Sequence, residues 1–345
     1  MNESFEKLRE RCIELQKQEP KLRIRNIAEK LGVSEMELVA AGCCGVESVY
    51  LGSDTKEVFK ELKTLGEVMI LTRNEWCVHE RHGSYEDVQV GKGSIGIVLG
   101  PDIDLRMFFS CWKTAWGVNQ DGRRSIQFFD ETGTAIHKVY CTENTSIPAY
   151  DALLAKYKAD LATLPAVTAA TDAVTEYAAQ APEQLRDNWL GMKDTHEFFP
   201  LLKKWNISRI AALQAAGNDL AQQLGKDAVE QMLQLSVERE IPIMCFVGNR
   251  GMVQIHSGVV KKLLRTGPWF NILDPAFNMH LNTEAIDSVW AVNKPTRDGW
   301  VTSIEVYEKS GELIVQFFGV RKPGVPELTE WRTLLESLCK EPLAA

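Results

Sequence analysis

The second half of this 345-residue chain repeats the first half in the same order. One matching segment arises readily by chance, but five segments in register do not. Self-similarity of this kind predicts two copies of one structural unit. The matched segments are residues 54–63 with 194–203, 68–83 with 243–258, 101–106 with 275–280, 115–119 with 289–293 and 125–133 with 303–311. The spacing between partners grows from 140 to 175 residues, which predicts an additional helical segment near residues 208–238.

The composition is that of a globular protein with enough chain for two domains. Hydrophobic residues make up 45% of the chain, and no stretch approaches the roughly 18 apolar residues of a membrane span. A formal charge of −8 leaves no basic excess for phosphates, so nucleic acid is not expected as the main partner. The eight cysteines contain no Cys-x-x-Cys pair, which suits reduced thiols in the cytoplasm.

Each repeat is predicted to contain a capped helix followed by strands that short turns connect. Alternating apolar and polar residues over 76–82 and 303–308 are typical of strands with one buried face. The predicted fold class is α+β, with two similar halves that each hold a large antiparallel sheet and flanking helices. The predicted boundaries are 1–160 for the N-terminal repeat, 161–185 for a linker and 186–345 for the C-terminal repeat.

The helix predicted over residues 194–205 presents a histidine away from its buried side. Asp194 and Glu197 have the spacing of a capping box, so the helix is predicted to start there. Its apolar stripe consists of Phe198, Leu201, Leu202 and Trp205. His196 lies roughly opposite this stripe, and Pro200 removes the hydrogen bond that would satisfy its carbonyl. His196 is therefore either a solvated surface residue or a residue presented to a ligand.

The repeat alignment gives the outward residues of the two halves different identities. It pairs His196 with Lys56, and Arg106 with His280. Divergence at positions that do not pack favours a site gained by one copy, although drift on a solvated surface explains it as well.

Residues 27–38 have the helix–glycine–helix rhythm of a helix-turn-helix. This pattern is also common in ordinary helical hairpins, and the acidic charge argues against DNA binding.

Four segments together resemble the bacterial cytoplasmic haem-utilisation proteins of the HemS/HmuS/ChuS type. The segments are residues 194–199, 105–108, 290–294 and 316–324. The resemblance covers essentially the whole chain, and internal duplication is itself a trait of that family. It implies a haem held in a cleft of the C-terminal half, with His196 as the axial ligand of the iron. An imidazole is the usual proximal ligand of haem iron.

The resemblance also implies the remaining site residues. Arg106 reaches the opposite face of the porphyrin from the N-terminal half and takes part in catalysis. The apolar walls are Phe108 and Phe199, and the polar positions around the propionates and the distal side are Arg209, Lys294, Gln316 and Arg321. Arginine forks suit carboxylates such as propionates. Some members carry a tyrosine where this chain has Val315, which removes a distal hydroxyl.

Three functions are compatible with this resemblance. The first is oxidative degradation of imported haem to release iron, with an external electron donor and an inner-membrane haem importer as partners. The second is a haem chaperone that hands its cargo to a separate oxygenase, which Val315 slightly favours. The third is a helix-turn-helix regulator that senses haem, which the acidic charge argues against.

Overall fold

A computed structural model of the chain describes residues 4–161, 166–168, 177–178, 180–322 and 324–345. The first half contains five α-helices and nine strands within this described part. The helices are α1 Phe5–Gln18, α2 Ile24–Leu31, α3 Glu35–Ala40, α4 Thr55–Glu61 and α5 Ile147–Tyr157. The strands are β1 Val46–Tyr50, β2 Gly66–Arg73, β3 Cys77–Gly83, β4 Val88–Val90, β5 Ile95–Leu99, β6 Asp104–Phe108, β7 Thr114–Gln120, β8 Arg123–Phe129 and β9 Ala135–Thr145.

The second half has the same numbers of helices and strands in its described residues. Its helices are α6 Leu185–Leu190, α7 Phe198–Trp205, α8 Arg209–Ala215, α9 Ala228–Glu238 and α10 Thr329–Leu338. Its strands are β10 Ala221–Leu224, β11 Ile243–Asn249, β12 Met252–Gly258, β13 Leu263–Thr266, β14 Trp269–Leu273, β15 Phe277–Asn282, β16 Ser288–Thr296, β17 Gly299–Tyr307 and β18 Leu313–Gly319.

The strands form two nine-stranded antiparallel sheets in the described part of the chain. The first half contributes the strand order β1-β7-β8-β9-β2, and the second half contributes β10-β16-β17-β18-β11. Both halves also contain a three-stranded meander, β4-β5-β6 in the first and β13-β14-β15 in the second. The prediction of an α+β fold with two similar halves is confirmed.

The chain divides into two compact units that do not follow the sequence strictly. Unit 1 consists of Met1–Arg73, Glu80–Asp172 and Gly248–Gln254, whereas unit 2 consists of Asn74–His79, Ala173–Val247 and Ile255–Ala345. Each unit therefore includes the tip of a hairpin from the other half. Met252 accordingly lies in the hydrophobic core of unit 1, and Cys77 lies in the core of unit 2.

The helical hairpin at the start of unit 1 recurs in unit 2. Helices α2 and α7 both have eight residues, start 174 residues apart, and end at a left-handed residue, Gly32 or Asn206. The helices that follow, α3 and α8, both have a serine N-cap, Ser34 or Ser208. The next strands, β1 and β10, then pair with the equivalent strands β7 and β16. The helix-turn-helix rhythm is thus one part of the repeated unit.

This correspondence corrects two expectations about the repeat. Helix α4 follows β1, but α7 precedes β10, so the match of residues 54–63 with 194–203 was wrong. At the constant spacing of α2 and α7, the equivalent of His196 is Leu22 and not Lys56. The additional helical segment was also wrong, because residues 208–238 contain α8, β10 and α9, the equivalents of α3, β1 and α4.

Lys56 has a structural role in unit 1. Its ammonium donates hydrogen bonds to the carbonyl oxygens of Gly91, Lys92 and Gly93, in the connection between β4 and β5. The other predicted pair is confirmed, because Arg106 lies opposite Ile97 and His280 lies opposite Asn271 in equivalent strand pairs.

Most of the predicted linker over 161–185 lies outside the described residues. No helix in the described ranges is long and apolar enough to cross a membrane.

Candidate ligand site around His196

His196 lies in a single 3-10 turn, Thr195–Glu197, which precedes α7. Asp194 caps this turn by accepting a hydrogen bond from the His196 backbone N–H at 2.8 Å. The predicted capping box is only half correct, because the Glu197 carboxylate accepts from the Lys193 N–H instead. The short turn agrees with the effect expected of Pro200, which cannot donate to the carbonyl of His196.

The imidazole of His196 is exposed and oriented at the same time. Its side chain is 90% exposed, and its Nδ1–H donates to Oδ1 of Asp194 at 2.6 Å. The backbone hydrogen bond from His196, followed by its side-chain bond, lowers the pKa of Asp194, so this partner is a carboxylate at neutral pH. A carboxylate on one ring nitrogen fixes the tautomer and leaves Nε2 as the atom that can bind a metal.

Helix α7 also exposes an aromatic side chain three positions after His196. The Phe199 ring is 69% exposed, whereas the predicted stripe residues Phe198, Leu201 and Leu202 are buried in the core of unit 2. An exposed phenylalanine next to an exposed histidine is suited to a flat apolar ligand. The helical periodicity therefore predicted which side chains face outward.

Three of the predicted polar residues converge on a buried carboxylate, that of Glu305. Arg209 binds it with two hydrogen bonds, Nη2 to Oε1 at 2.6 Å and Nε to Oε2 at 2.9 Å. Lys294 Nζ and Gln316 Nε2 each donate to Oε1 at 2.9 Å. The Tyr307 hydroxyl donates to Oε2. We refer to Glu305 with these four partners as the Glu305 cluster.

The Glu305 cluster carries a net positive charge in a buried place. Burial alone would raise the pKa of Glu305, but Arg209 and Lys294 hold it well below its usual range. Burial lowers the pKa of Lys294 to about 8, against the attraction of Glu305. Two cations and one carboxylate leave an excess of about one positive charge when both cations are protonated. A cluster of this kind attracts an anionic group.

Phe198 connects the Glu305 cluster to the helix that follows His196. The Lys294 ammonium lies 4.6 Å from the centre of the Phe198 ring, and the Arg209 guanidinium lies 5.0 Å from it. These cation–π contacts fix α7 against the sheet, because Phe198 is its first residue.

Arg321 provides a further cation in unit 2. Its Nη2 lies 3.8 Å from Oδ2 of Asp298, and the charge of Arg321 also lowers the pKa of Asp194. The Nε atom of Arg321 is buried and has no hydrogen-bond partner among the described residues. An unsatisfied buried N–H is costly, so an acceptor supplied by a ligand would stabilise this arrangement.

Arg106 and Phe108 lie in unit 1, on strand β6. Arg106 forms an ion pair with Asp104 and donates to the Leu105 carbonyl oxygen at 3.0 Å. Burial raises the pKa of Asp104, while Arg106 opposes this shift. Phe108 is half-buried, and its N–H donates to the Gly251 carbonyl oxygen at 2.9 Å.

The structure does not support the expectation about Val315. Val315 has no exposed surface and lies in the hydrophobic core of unit 2 with Val306 and Phe317. Phe318 is the strand residue that shares a face with Gln316, and its ring lies 5.0 Å from that of Phe246. Val315 therefore gives no support to the chaperone hypothesis.

Glu305 and Tyr307 were not predicted as part of the site. The sequence contains one signal for them, since residues 303–307 alternate polar and apolar side chains in a strand that is buried along most of its length. A charged residue in such a strand requires a partner.

The equivalent residues of unit 1 form a different set. Glu35 is the first residue of α3, as Arg209 is of α8, and it forms a buried ion pair with Lys138. Gln127 lies opposite Trp116 just as Glu305 lies opposite Trp290. Leu22, the equivalent of His196, packs against the core of the N-terminal helices.

A family model described as the haemin-degrading HemS.ChuX domain matches the chain twice, over residues 32–157 and 206–338. The two matches begin at the equivalent left-handed residues Gly32 and Asn206. His196 lies outside both ranges.

Similar proteins cover almost the whole chain. The hemin transport protein HemS of Yersinia enterocolitica is 38% identical over 327 residues, which cover 93% of this chain and 94% of that protein. Holo-PhuS, a heme-binding protein from Pseudomonas aeruginosa, is 40% identical with a TM-score of 0.91, covering 97% of this chain and 99% of that one. ChuS, a heme degrading enzyme of Escherichia coli O157:H7, is 35% identical with a TM-score of 0.90, covering 97% and 100%.

Proposed function

Because the chain belongs to the haemin-degrading HemS/ChuX family, we propose that it binds haem through His196 and degrades it oxidatively to release iron. The observation that carries this proposal is the exposed imidazole of His196, whose Nδ1 is held by Asp194. A single histidine suits haem iron, because the porphyrin nitrogens supply the remaining nitrogen ligands.

The residues of unit 2 fit a haem in three respects. The exposed Phe199 ring provides an apolar surface next to His196. The Glu305 cluster provides an excess of positive charge. The buried Nε of Arg321 lacks an acceptor among the described residues. We assign the propionates to Arg209 and Arg321, while Lys294 and Gln316 hold the Glu305 carboxylate.

The protein residues hold the substrate and control its surroundings. His196 Nε2 binds the iron, and Asp194 keeps the imidazole in one tautomer and one orientation. Phe199 covers porphyrin surface and excludes water from it. Haem, when bound, supplies the iron that activates dioxygen and the porphyrin carbon that is oxidised.

Arg106 is proposed to take part in the oxidation of the bound haem. Its guanidinium is a cationic hydrogen-bond donor, so it can stabilise negative charge that develops on oxygen. For this role Arg106 has to share its donors between Asp104 and the reacting oxygen. Electrons come from an external donor in the cytoplasm, and an inner-membrane importer supplies the haem.

The experiment follows the absorption of the hemin-loaded protein in air after addition of ascorbate, with catalase present to remove free peroxide. Loss of the Soret band with release of iron is expected for wild type, and a rate at least tenfold lower is expected for Arg106→Ala. A hemin complex that stays intact under these conditions contradicts the degradation part of the proposal. Unchanged decay in Arg106→Ala contradicts the role of Arg106.

The second candidate function is a haem carrier that delivers its cargo without turnover. The ion pair of Arg106 with Asp104 favours it, since a guanidinium engaged in its own unit has fewer donors for a reacting oxygen. A stable ferrous complex that transfers haem to an acceptor such as apomyoglobin would support the carrier.

A further inference from the structure

The N-terminal helices of unit 1 contain two cysteine thiols in direct contact. Sγ of Cys12, on α1, lies 3.2 Å from Sγ of Cys44, in the segment that connects α3 to β1. Cys12 is fully buried, and Cys44 is partly exposed. Neither residue has a role in the proposed haem chemistry.

We propose that Cys12 and Cys44 form an oxidation site that a peroxide converts to an intramolecular disulfide. The sulfur atoms have to approach each other from 3.2 Å to the disulfide bond length of about 2.05 Å. Rotation of two side chains that already touch can supply a movement of about 1 Å. The two residues are 32 positions apart, so the bond would close α2 and α3 into one covalent loop.

The reaction balances with hydrogen peroxide as the oxidant. The more exposed Cys44 attacks the peroxide as a thiolate, which breaks the O–O bond and gives a sulfenic acid. Cys12 then attacks the sulfenic sulfur as a thiolate and forms the S–S bond. In total two thiols and one peroxide give one disulfide and two water molecules.

The surroundings of the pair make this reaction slow at neutral pH. Burial, the hydrogen bond with Cys12 and the neighbouring thiols raise the pKa of Cys44. Since the thiolate is the nucleophile, we expect the rate of oxidation to increase as the pH is raised above neutrality. Because the raised pKa of Cys44 leaves little thiolate, Cys12 and Cys44 stay reduced until the peroxide concentration is high.

Cys43 provides a matched control. It precedes Cys44 in sequence and is buried in the core of the N-terminal helices, together with Cys12. If any neighbouring thiol could react with Cys12, Cys43 should form a disulfide with Cys12 when Cys44 is replaced. If the contact between the sulfur atoms is required, only Cys44 should form a disulfide with Cys12.

The experiment treats the reduced, full-length protein with peroxide, blocks residual thiols and maps peptides without reduction. The expected product in wild type and in Cys43→Ser is one intramolecular cross-link between Cys12 and Cys44 with a loss of two hydrogen atoms. Cys44→Ser and Cys12→Ser should lack this cross-link, and a reducing agent should reverse it. Circular dichroism and Tm of each reduced variant show whether it is folded.

Thermal unfolding provides a second readout, because a disulfide restricts the unfolded chain. Oxidation should raise Tm by several degrees in wild type and Cys43→Ser, and should leave the Tm of Cys44→Ser unchanged. The proposal is overturned if Cys12 and Cys44 stay reduced while other cysteines oxidise, or if Cys12 pairs with Cys43 in wild type. Folded Cys43→Ser without the cross-link also overturns it.

Discussion

The carboxylate of Asp194 acts on both the backbone and the ring of His196. One oxygen, Oδ1, accepts from the backbone N–H at 2.8 Å and from Nδ1 at 2.6 Å. The local turn and the ligand orientation therefore depend on the same side chain. This dependence allows an exposed imidazole to hold one orientation although few other groups contact it.

Replacing Asp194 should weaken haem binding and alter the iron–histidine bond. For Asp194→Ala, a loss of about 10- to 100-fold in hemin affinity is expected, because second-shell partners orient the ligand and strengthen it as a donor. Asp194→Asn keeps a hydrogen-bond acceptor without the charge, so its hemin affinity should lie between those of wild type and Asp194→Ala. Hemin titration and the iron–histidine stretching frequency of the ferrous complex measure these effects.

The control for Asp194 is Glu197→Gln, which changes a nearby carboxylate that accepts from the Lys193 N–H. Equal losses for Asp194→Ala and Glu197→Gln would show that general charge, rather than the contact with Nδ1, affects binding.

Glu305 balances the buried cations of unit 2. Glu305→Gln leaves Arg209 and Lys294 without a carboxylate in a buried place and should destabilise the protein by about 3 to 5 kcal/mol. Unfolding in urea measures the difference. Glu312→Gln, at an exposed position after the β17–β18 turn, is the control and should change stability by less than about 0.5 kcal/mol.

The same carboxylate predicts a pH dependence. The folded protein holds the pKa of Glu305 below its ordinary value of about 4.5, so the unfolded chain binds more protons than the folded one as the pH falls through this range. The stability that Glu305 contributes is fully present above its ordinary pKa and is lost towards lower pH. The advantage of wild type over Glu305→Gln in urea should therefore shrink between pH 5 and pH 3, and a constant difference would contradict this origin.

Sequence patterns predicted individual residues to different degrees. Helical periodicity placed His196 and Phe199 on the outside and the stripe residues inside, because burial on one helix face is a local property. The convergence of Arg209, Lys294 and Gln316 on Glu305 could not be predicted, because it brings together side chains from α8, β16, β17 and β18. The pattern of strand β17 shows that Glu305 is buried, but it does not show which residues bind its carboxylate.

Among the secondary-structure elements, the turns of the β2–β3 and β11–β12 hairpins are held by equivalent asparagines. Asn74 Oδ1 accepts from two backbone N–H groups of its own turn, and Asn249 Oδ1 does the same. The Asn249 amide also donates to the carbonyl oxygens of Arg73 and Ile136 in unit 1. One side chain thus both shapes the turn and attaches it to its unit.

Asn249→Ala should destabilise unit 1 by about 2 to 3 kcal/mol, because it leaves partly buried backbone groups without partners. Urea unfolding is the measurement. Asn188→Ala, at a partly exposed position on α6, removes one amide without affecting a hairpin and should have little effect. Equal effects of the two substitutions would contradict the structural role of Asn249.

The wrong match of residues 54–63 with 194–203 has a physical explanation. Residues 54–63 and 194–203 match because both contain a helix with an aspartate before its start and apolar residues at helical spacing. Such patterns report a local amphipathic helix and carry no information about which strand precedes it. Strand pairing revealed the true equivalents, since β1 and β10 lie beside β7 and β16.

At the scale of the whole molecule, the two halves share a fold but not a set of functional groups. Leu22 replaces the histidine in the first half, and Glu35 with Lys138 replaces the cationic set. The duplication and the α+β class could be predicted, since many weak matches add up along the chain. The hairpin tips that each unit includes from the other half could not be predicted, because the hydrophobic pattern of a strand does not specify its neighbours.

Because the first half has Leu22 where the second half has His196, a stoichiometry of one haem per chain is expected. Lys56→Ala should leave the stoichiometry and affinity unchanged, because Lys56 binds carbonyl oxygens of its own unit. Absorbance titration at a protein concentration well above Kd gives the number of sites. A second equivalent bound tightly, or lost in Lys56→Ala, would contradict the assignment of Leu22 as the equivalent of His196.

A hemin titration of wild type, His196→Ala and His280→Ala, followed at the Soret band, tests directly whether His196 binds the iron. His280 is the control because its ring is held by Asn271 within unit 2 and is not assigned to the iron. If His196 binds the iron, wild type and His280→Ala should give a saturable, shifted band, and His196→Ala should lack that band. Identical titrations of wild type and His196→Ala would contradict this assignment, because the iron would then be bound by another residue.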